Sequence, residues 1–480
     1  MLEKTVSWAS FEAKLTGSNT VVVSDLLSEG VEELDFKDRV VAFSMHFGFF
    51  IVATSSQCLI YNTNNFHTPH IFDFKAPVSV IVQAATGFAT VDAVVGIQVY
   101  TYEGRHVCNP RFQGLRTEFL NSSCISLSPD VLAVVDSSDV RKVRFFNAMN
   151  GNPIGSDLTH TADIIDVSLN QTGGSGGRRI AFTDRNRDMF VACVATSVGA
   201  SAASAAASMR SVKLSTMVDC CVWHAEVDVL CAVADQKLTT WYCPSAVFID
   251  PDLLPLTKAV INEDSNYGFA PRIVECDGPR VTVRRSDGAL KTSAAVSSYH
   301  LMLHRLCAAR GWQKALRLCR HAKDRSLWSV LAAMSVGNRE LQTAAACFAA
   351  IGEVDKVQYL NYIASIPSEE ARNAEVLLFM RRPHEAESIL LQAGLIYRAI
   401  MMNVNLYAWD RALELAVTHK THIDTVLYHR SNFLRSSNRI EGHAKFLALK
   451  EIEVDEDMVL ANAQREEEDE RRRGPVGSRR

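Results

Sequence analysis

The sequence predicts two folds in series, an all-β propeller of about seven blades followed by an all-α solenoid of helical hairpins. Apolar and polar residues alternate at the period of strands over roughly the first 296 residues. Groups of strands recur about every 43 residues, close to the length of a four-stranded propeller blade. From Leu301 onward the apolar residues recur at helical spacing. We therefore predict a WD40-like β-propeller at 1–296, a tetratricopeptide-like α-solenoid at 297–462 and a charged disordered tail at 463–480.

The composition is that of a soluble globular protein with more than one domain. Its 480 residues are 48% hydrophobic and 22% charged, with a formal net charge of -4. This charge argues against a general nucleic-acid binder or an anionic-membrane binder, since both need a positive excess. No apolar run approaches the roughly 20 residues that span a bilayer, and the starting MLEKTVSW lacks a signal-peptide core. The 12 cysteines include no Cys-x-x-Cys pair, so we expect reduced thiols, no zinc site and a cytosolic-type compartment.

Short runs rich in Val, Ile, Phe and Thr, bounded by Gly, Asp, Asn and Ser, make up the strand region. The clearest unit is Cys220–Pro244, in which short turns join successive apolar strands. Asp287-Gly288 is a hairpin signal because both residue types tolerate positive φ. We expect the first strands, at Thr5–Leu15 and Thr20–Ser24, to close the ring beside the last unit. The residue that ends each unit recurs at Tyr61, Tyr100, Phe146, Val191 and Trp241, with Arg285 in the last unit.

An apolar residue followed three positions later by alanine marks a repeated unit in the helical region. Alanine lets two helices approach closely, and glycine tolerates the left-handed turn at a helix end. A second apolar helix begins after each turn, and such hairpins bury their faces only by stacking. The marker pairs are Trp312/Ala315, Leu341/Ala344, Pro383/Ala386 and Trp409/Ala412, and the expected ends of the first helices are Lys323, Gly352, Gly394 and Lys420.

Three segments lack the pattern of a packed element. Ala195–Ser211 is an Ala/Ser low-complexity insert, which we expect to be a flexible loop. Asn170–Arg179 is rich in glycine and is expected to be a loose loop within a blade. Arg465–Arg480 consists of blocks of opposite charge without an apolar face, which predicts a solvated helix end followed by disorder.

The sequence predicts a protein that is not an enzyme, with no cofactor and no metal. The glycine-rich stretch ending at Arg178 and Arg179 leads into a strand, whereas a P-loop opens a helix. His224–Glu226 matches the His-x-Glu of zinc deaminases but lacks the companion Pro-Cys-x-x-Cys, so a turn within a blade is favoured. His384–Ser388 lacks the second histidine of a His-Glu-x-x-His site, so a solvated helix face is favoured.

Basic residues cluster at the start of the helical region. Arg310, Lys314 and Arg317 are spaced to lie on one helix face at i, i+4 and i+7. Two interpretations are open, an ordinary solvated face and a docking face for an acidic partner. These three residues are the candidate partner-docking site.

Several long runs resemble one known family. WSVLAAMSVGNREL, FAAIGEVDKVQYLNYI, EAESILLQAGLIYRAI and NLYAWDRALELAVTHKTHIDTVL are similar to the C-terminal region of the eighty-kilodalton subunits of intraflagellar transport complex B. Upstream, IVATSSQCLIYNT, YEGR, IAFTDRNRDMFV and RRSDGAL are similar to the second WD40 propeller of that family. The resemblance is collinear and covers nearly all of Val31–Leu434.

This resemblance implies a non-catalytic scaffold subunit of complex B that supports cilium or flagellum assembly through protein–protein contacts. It implies other complex B subunits as partners and self-association through the C-terminal helices. It places the protein in the cytoplasm, the cilium or flagellum and the basal body. Neither the charge nor the resemblance predicts a nucleic-acid partner or direct membrane insertion.

The sequence departs from the family pattern because only one propeller's worth of chain precedes the helices. The first propeller of the family, which is linked to the calponin-homology-domain subunit, is missing. We expect either a truncated form or gene model, or a shorter relative, and the contact of that first propeller is not implied here.

Two rival functions remain open. A vesicle-coat-like trafficking subunit has the same propeller–solenoid architecture, and fold does not fix function. An enzyme that used the central channel of the propeller would need His, Asp, Glu or metal ligands converging from several blades, and the sequence indicates no such constellation.

Overall fold

The computed structural model describes residues 5–173, 178–194, 210–261, 267–449 and 455–473. Contacts divide the chain into two compact units. The first contains Met1–Val247 and Asp252–Val330, and the second contains Phe248–Pro251 and Leu331–Arg480. Residues 174–177 and 195–209, on which two of the expected loops fall, lie outside the described residues.

The first unit contains seven antiparallel sheets, in each of which the strands follow chain order. Each sheet is one blade, so the predicted propeller of about seven blades is confirmed. In the described residues, six blades have four strands and the last has three. The strands of blades 1 to 4 are β1 (Thr5–Trp8), β2 (Phe11–Leu15), β3 (Thr20–Asp25), β4 (Val31–Asp35), β5 (Val40–His46), β6 (Phe49–Thr54), β7 (Gln57–Asn62), β8 (Asn65–Asp73), β9 (Val78–Ala84), β10 (Gly87–Asp92), β11 (Gly96–Thr101), β12 (His106–Cys108), β13 (Ile125–Leu127), β14 (Val131–Val135), β15 (Lys142–Asn147) and β16 (Leu158–Thr159). The strands of blades 5 to 7 are β17 (Ile164–Leu169), β18 (Arg179–Asp184), β19 (Met189–Cys193), β20 (Ser211–Ser215), β21 (Val218–Trp223), β22 (Leu230–Ala234), β23 (Lys237–Trp241), β24 (Lys258–Ile261), β25 (Arg272–Asp277), β26 (Arg280–Arg284) and β27 (Leu290–Ala294).

Burial explains why the strands read so differently in sequence. The second strands β10 and β14 are buried along their whole length, because neighbouring blades cover both faces. They therefore appear as uninterrupted apolar runs. The outer strand β4 alternates between exposed and half-buried residues, which is the pattern of a strand covered on one face only.

The ring closes through contacts between the first and last blades. β1 lies against β25, and the Arg284 guanidinium donates to the Thr5 carbonyl oxygen at 2.7 Å and to the Ser7 hydroxyl. The Ala9 N–H donates to the Glu275 carboxylate at 3.1 Å. The first strands therefore lie beside the last blade, as predicted, and they form a complete blade of their own.

Aspartate carboxylates hold the turn after the second strand in three consecutive blades. Asp92 accepts the Val94 N–H at 2.8 Å, and Asp136 accepts the Ser138 N–H at 2.9 Å. Asp184 accepts the N–H two residues further on in the same way. This recurring aspartate is a repeat signal in the sequence that the spacing of strand-ending aromatics did not use.

The predicted blade repeat is confirmed for most of its markers. The first five marker residues, from Tyr61 to Trp241, all lie on the third strand of a blade. Arg285 is wrong as the last marker, because it follows β26, the second strand of blade 7. The true third strand, β27, reads LKTSA and has no aromatic residue to mark it. Asp287-Gly288 does form the predicted hairpin, with the Gly288 N–H donating to the Arg285 carbonyl at 3.0 Å.

Helices follow the last strand, and the predicted solenoid is confirmed. Within the described residues, none of them combines the length and the apolar content needed to cross a membrane. The helices are α1 (Ser298–Ala308), α2 (Trp312–Ala322), α3 (Arg325–Gly337), α4 (Leu341–Ile351), α5 (Val354–Ser365), α6 (Glu369–Phe379), α7 (Pro383–Gln392), α8 (Ile396–Asn405), α9 (Trp409–His419), α10 (Ile423–Ser436), α11 (Ala444–Leu447) and α12 (Glu456–Arg473).

All four expected helix ends have left-handed backbone. Lys323 and Lys420 have φ of 52° and 57°, and Gly352 and Gly394 have φ of 97° and 71°. A second helix follows each turn, as predicted, and these helices begin at Arg325, Val354, Ile396 and Ile423. These four residues with left-handed backbone, which we call the hinge residues, therefore have a structural role, because a left-handed residue ends one helix and lets the chain turn back.

Helix α6 was not predicted. It fills the longer step between the second and third marker pairs, and it packs against α7. Its start has a clear local signal, since the Ser368 hydroxyl accepts the Ala371 N–H at 3.3 Å and two glutamates follow in the first turn.

The boundary between strands and helices differs from the boundary between compact units. Strands end at Ala294 and α1 begins at Ser298, yet the first unit extends to Val330. One reason is that α1 packs on blade 6 and α2 packs on α1. The His304 ring nitrogen donates to the Tyr242 carbonyl at 2.7 Å.

The prediction of a disordered tail from residue 463 is wrong for residues 463–473, although the sequence also indicated a helix end after Arg465. These residues belong to α12, which ends at Arg473. One stripe of its surface packs on other helices of the second unit, a contact that charge composition alone does not predict. Residues 474–480 lie outside the described part of the chain.

Candidate docking surfaces

Inner strands of the propeller line a cavity of about 750 Å³. Its described lining includes the cations Arg272 and Arg284 but no carboxylate. His46 also lines it, and burial lowers the pKa of this imidazole to about 4, so the ring is neutral near pH 7. Arg284 is engaged in ring closure. The lining therefore brings together no acid–base pair of the kind that an enzyme site needs.

Asp166 on β17 interacts with the Arg272 charge. Burial raises the pKa of its carboxyl to about 6, although the Val167 N–H and Arg272 both act to lower that pKa. The neighbouring Cys220 has a thiol pKa raised to about 12 by burial, so it remains a neutral thiol. Desolvation thus explains both shifts, and neither group is paired as an activated nucleophile.

A second groove, of about 700 Å³, lies between blades 2 and 3. Phe49 and Tyr102 stack at its base with ring centroids 3.8 Å apart. Beside them, the Gln83 amide donates to the His46 and Phe49 carbonyls at 3.1 and 3.2 Å and accepts the Ser44 hydroxyl at 2.7 Å. This amide fastens the two blades together, and the groove is a by-product of their packing.

The His-x-Glu motif at His224–Glu226 has a structural role. His224 is buried, and its Nε2 donates to the Gly278 carbonyl at 3.1 Å while its Nδ1 accepts the Glu226 N–H. Glu226 pairs with Arg305 of α1 at 2.8 Å. This is the favoured blade turn. Among the described residues, no group of three or more His, Cys, Asp or Glu side chains could hold a metal ion.

Arg178, which follows the glycine-rich stretch, is a buried cation held by protein groups. Its side chain is 2% exposed and pairs with Asp130 at 2.5 Å. It also donates to the Asn170 carbonyl and, at 2.9 Å, to the Gly173 carbonyl. The two terminal nitrogens of this guanidinium are therefore already paired with backbone carbonyls and a carboxylate.

The structure places two of the three candidate docking residues together. Lys314 and Arg317 lie one turn apart on α2 with exposed side chains. The opposite face of this helix buries Ala315, Leu316 and Cys319. No described residue provides either cation with an ion-pair or side-chain hydrogen-bond partner.

The expectation that Arg310 shares their helix face is wrong. Arg310 lies in the turn between α1 and α2, with φ of 54°. The Arg310 N–H donates to the Cys307 carbonyl at 2.9 Å and the Gly311 N–H to the Leu306 carbonyl at 2.8 Å, so α1 has already ended. Its side chain is exposed, one turn before Lys314.

Sequence reasoning missed an ionic surface in the second unit, where α12 packs. The Arg398 guanidinium of α8 pairs with Glu470 of α12 at 2.5 Å, and also reaches Glu375 at 3.7 Å. His422, the residue before α10, lies 3.4 Å from Glu466. From its composition alone, α12 was expected to be charged and exposed to solvent. The contacts were missed because the partners of its acids come from helices distant in sequence.

Two family models match consecutive parts of the chain. The model described as the second beta-propeller of IFT80 matches residues 3–299. The chain belongs to the intraflagellar transport protein 80 family. The model of the TPR domain shared by IFT80, IFT172, WDR35 and WDR19 matches residues 327–472. Both described folds of this family, propeller and helical repeat, are the folds that the structure shows.

Curated relatives agree with the family models. Intraflagellar transport protein 80 homolog of Rattus norvegicus is 40% identical over 99% of this chain and 60% of its own length. The Mus musculus homolog is 39% identical over the same shares. Intraflagellar transport protein 172 homolog of Danio rerio is 22% identical over 71% of this chain and 19% of its own length. The chain thus spans about 60% of the first two relatives.

Proposed function

We propose that this chain is a non-catalytic scaffold subunit of intraflagellar transport complex B that supports cilium or flagellum assembly through protein–protein contacts. The observation that carries the proposal is the collinear match of both folds to one transport family. A propeller offers loop-lined faces and a solenoid offers an extended surface, and neither requires a titratable site to bind a partner.

The partners of the proposed scaffold are other complex B subunits. Arg310, Lys314 and Arg317 form the proposed docking site for an acidic segment of one of them. Support comes from the exposure of all three side chains and the lack of a described partner for the two on α2. We also propose self-association through the C-terminal helices.

The proposed location is the cytoplasm, the cilium or flagellum and the basal body. We propose that residues 1–296 act as the propeller module and residues 297–462, extended by α12 to Arg473, as the helical module. The proposal includes no nucleic-acid partner and no direct membrane insertion.

The test is localisation and pull-down of the tagged endogenous protein in ciliated or flagellated cells, with mass spectrometry of bound proteins. We expect signal at the ciliary base and along the axoneme, and complex B subunits in the bound fraction. Recovery of vesicle-coat subunits on endomembranes would leave the fold intact and overturn the function. Turnover of a substrate that survives purification would overturn the non-catalytic role.

A further inference from the structure

Helix α12 contacts the other helices of the second unit along one narrow stripe. The residues of this stripe are buried or half-buried and recur at helical spacing: Val459, Asn462, Ala463, Glu466 and Glu470. Two of the larger apolar side chains of the helix point away from the contact, since Met458 and Leu460 are 56% and 51% exposed. Little apolar surface therefore holds α12 in place, and ionic contacts carry most of the recognition.

Among the described residues, the surface beneath α12 presents one cation, Arg398, to the acids of the helix, and Glu375 also lies 3.7 Å from this cation. We call this surface the α8–α10 surface, and it consists of Gly394, Leu395, Tyr397, Arg398, His422 and Tyr428. Arg398 and His422 face the acids Glu470 and Glu466, and the Tyr428 hydroxyl donates to Glu456. Three polar contacts thus follow the length of the helix.

The fit of α12 is incomplete at its most buried charged side chain. Glu470 is 7% exposed, and its Oε2 accepts from Arg398. Its Oε1 is buried, and no described residue supplies it with a donor. A buried carboxylate oxygen without a donor is costly, so this contact is less favourable than a fully satisfied ion pair.

We propose that the α8–α10 surface is a docking site for an acidic helix of a partner protein, and that α12 is an internal occupant which the partner helix displaces. Charge complementarity identifies the kind of partner, because the surface already seats an acidic helix of about five turns. The small apolar contact and the unsatisfied carboxylate oxygen explain why the internal helix can leave. The inference does not depend on the ciliary assignment.

Hydrogen exchange of the full chain measures how readily α12 opens. We expect the amides of α12 to exchange at least ~100-fold faster than those of α8, because few buried contacts protect them. Glu470→Gln keeps the shape and removes the charge, so it should accelerate α12 exchange further. Glu467→Gln, an exposed position on the same helix, should not. Exchange of α12 as slow as that of α8 would overturn the proposal.

A binding experiment tests whether the vacated surface accepts an acidic helix. The probe is a fluorescein-labelled peptide of residues 455–473, titrated with the full chain and with its Glu466→Lys/Glu470→Lys variant. The variant should release its own α12, because the substituted side chains are repelled by Arg398 and lose the contact with His422. We expect the peptide to bind the variant at least ~10-fold more tightly than the unmodified chain, since the internal competitor is gone. Equal affinity for both chains, or no binding to a variant whose α12 exchanges freely, contradicts the proposal.

Two further variants test whether the peptide binds to the α8–α10 surface itself rather than to any exposed cation of the chain. In the released background, Arg398→Glu should abolish peptide binding, whereas Lys420→Glu, an exposed cation outside the surface, should leave it unchanged. A scrambled peptide of the same composition should bind at least ~10-fold more weakly. Equal binding of the scrambled peptide would overturn the docking site.

The α12 of a second copy is the rival occupant. Sedimentation of the unmodified chain and of the Glu466→Lys/Glu470→Lys variant distinguishes it. We expect the same oligomeric state for both. A dimer that becomes a monomer in the variant would assign the surface to self-association and overturn the proposal.

Discussion

At the scale of single residues, the side chain of Arg284 contributes to the closure of the propeller ring. Its two donated hydrogen bonds reach the first strand, 277 and 279 residues away in the chain. The guanidinium is 22% exposed, so these contacts are partly protected from solvent. Hydrogen bonds to charged groups contribute more than neutral ones, and their loss leaves the Thr5 carbonyl and the Ser7 hydroxyl without the guanidinium donor.

We predict that Arg284→Ala lowers the free energy of unfolding of the first unit by about 2 kcal/mol, because two charge-assisted hydrogen bonds are lost. Urea denaturation followed by tryptophan fluorescence measures the change. Arg280→Ala, at an exposed position on the same strand, is the matched control and should be nearly neutral. Equal effects of the two substitutions would show that Arg284 does not close the ring.

Asp166 predicts a pH dependence of stability. Burial raises its pKa from 3.8 to about 6, so the folded state keeps a proton that the unfolded state has already lost. Stability from this group is therefore highest below about pH 4 and falls as pH rises to about 6. Asp166→Asn should stabilise the chain at pH 7.5 by about 1–3 kcal/mol and have little effect at pH 4. Urea denaturation at the two pH values is the measurement, with exposed Asp157→Asn as control. A lower free energy of unfolding for Asp166→Asn than for the unmodified chain at pH 7.5 would contradict this prediction.

At the scale of elements, the helical hairpins depend on residues that turn left-handed. Gly352 accepts this conformation without a Cβ penalty, and nothing lies within 4 Å of the position that a Cβ would occupy. The cost of a substitution there is thus backbone strain alone. Gly442 offers equally open space but has no positive φ, which separates the two effects.

We predict that Gly352→Ala destabilises the second unit by about 1 kcal/mol, because alanine resists the left-handed backbone. Gly442→Ala, in the same unit, should be neutral or slightly stabilising. Thermal unfolding of both variants by circular dichroism is the measurement. A Gly352→Ala chain as stable as the Gly442→Ala chain would mean that the turn does not depend on glycine.

At the scale of the whole molecule, function depends on surfaces. Each compact unit contributes one charged surface with a proposed partner, the basic turn and helix at Arg310–Arg317 in the first and the α8–α10 surface in the second. The two surfaces differ in whether their cations are paired. The cations on α2 have no described partner, whereas Arg398 is already paired with Glu470.

We predict that Arg310→Glu/Lys314→Glu/Arg317→Glu weakens recovery of complex B subunits in a pull-down at least ~10-fold, because three cations facing an acidic partner are reversed. Arg339→Glu/Lys420→Glu/Arg439→Glu, at exposed cations of the second unit, is the control with the same charge change. Circular dichroism confirms that both variants fold. Unchanged recovery from a folded triple variant would leave this face as an ordinary solvated one.

Local signals account for most of what could be predicted. The period of the strands predicted the propeller, and the hinge residues Lys323 and Gly352 were identified from helix markers and turn chemistry. Arg310 was misplaced because helical spacing says nothing about where a helix has ended. Glu470 was assigned to a disordered tail because its partner, Arg398, lies 72 residues earlier in the chain.

The sequence by itself determined the two fold classes, the order of the blades and the positions of the helical turns, because strand period, helix period and left-handed turns are properties of neighbouring residues. Only the tertiary structure decided how the ring closes, which charged side chains are paired and which remain exposed without a described partner. Those outcomes depend on contacts between segments far apart in the chain, and the partner of a charge is set by the packing of whole elements rather than by its neighbours.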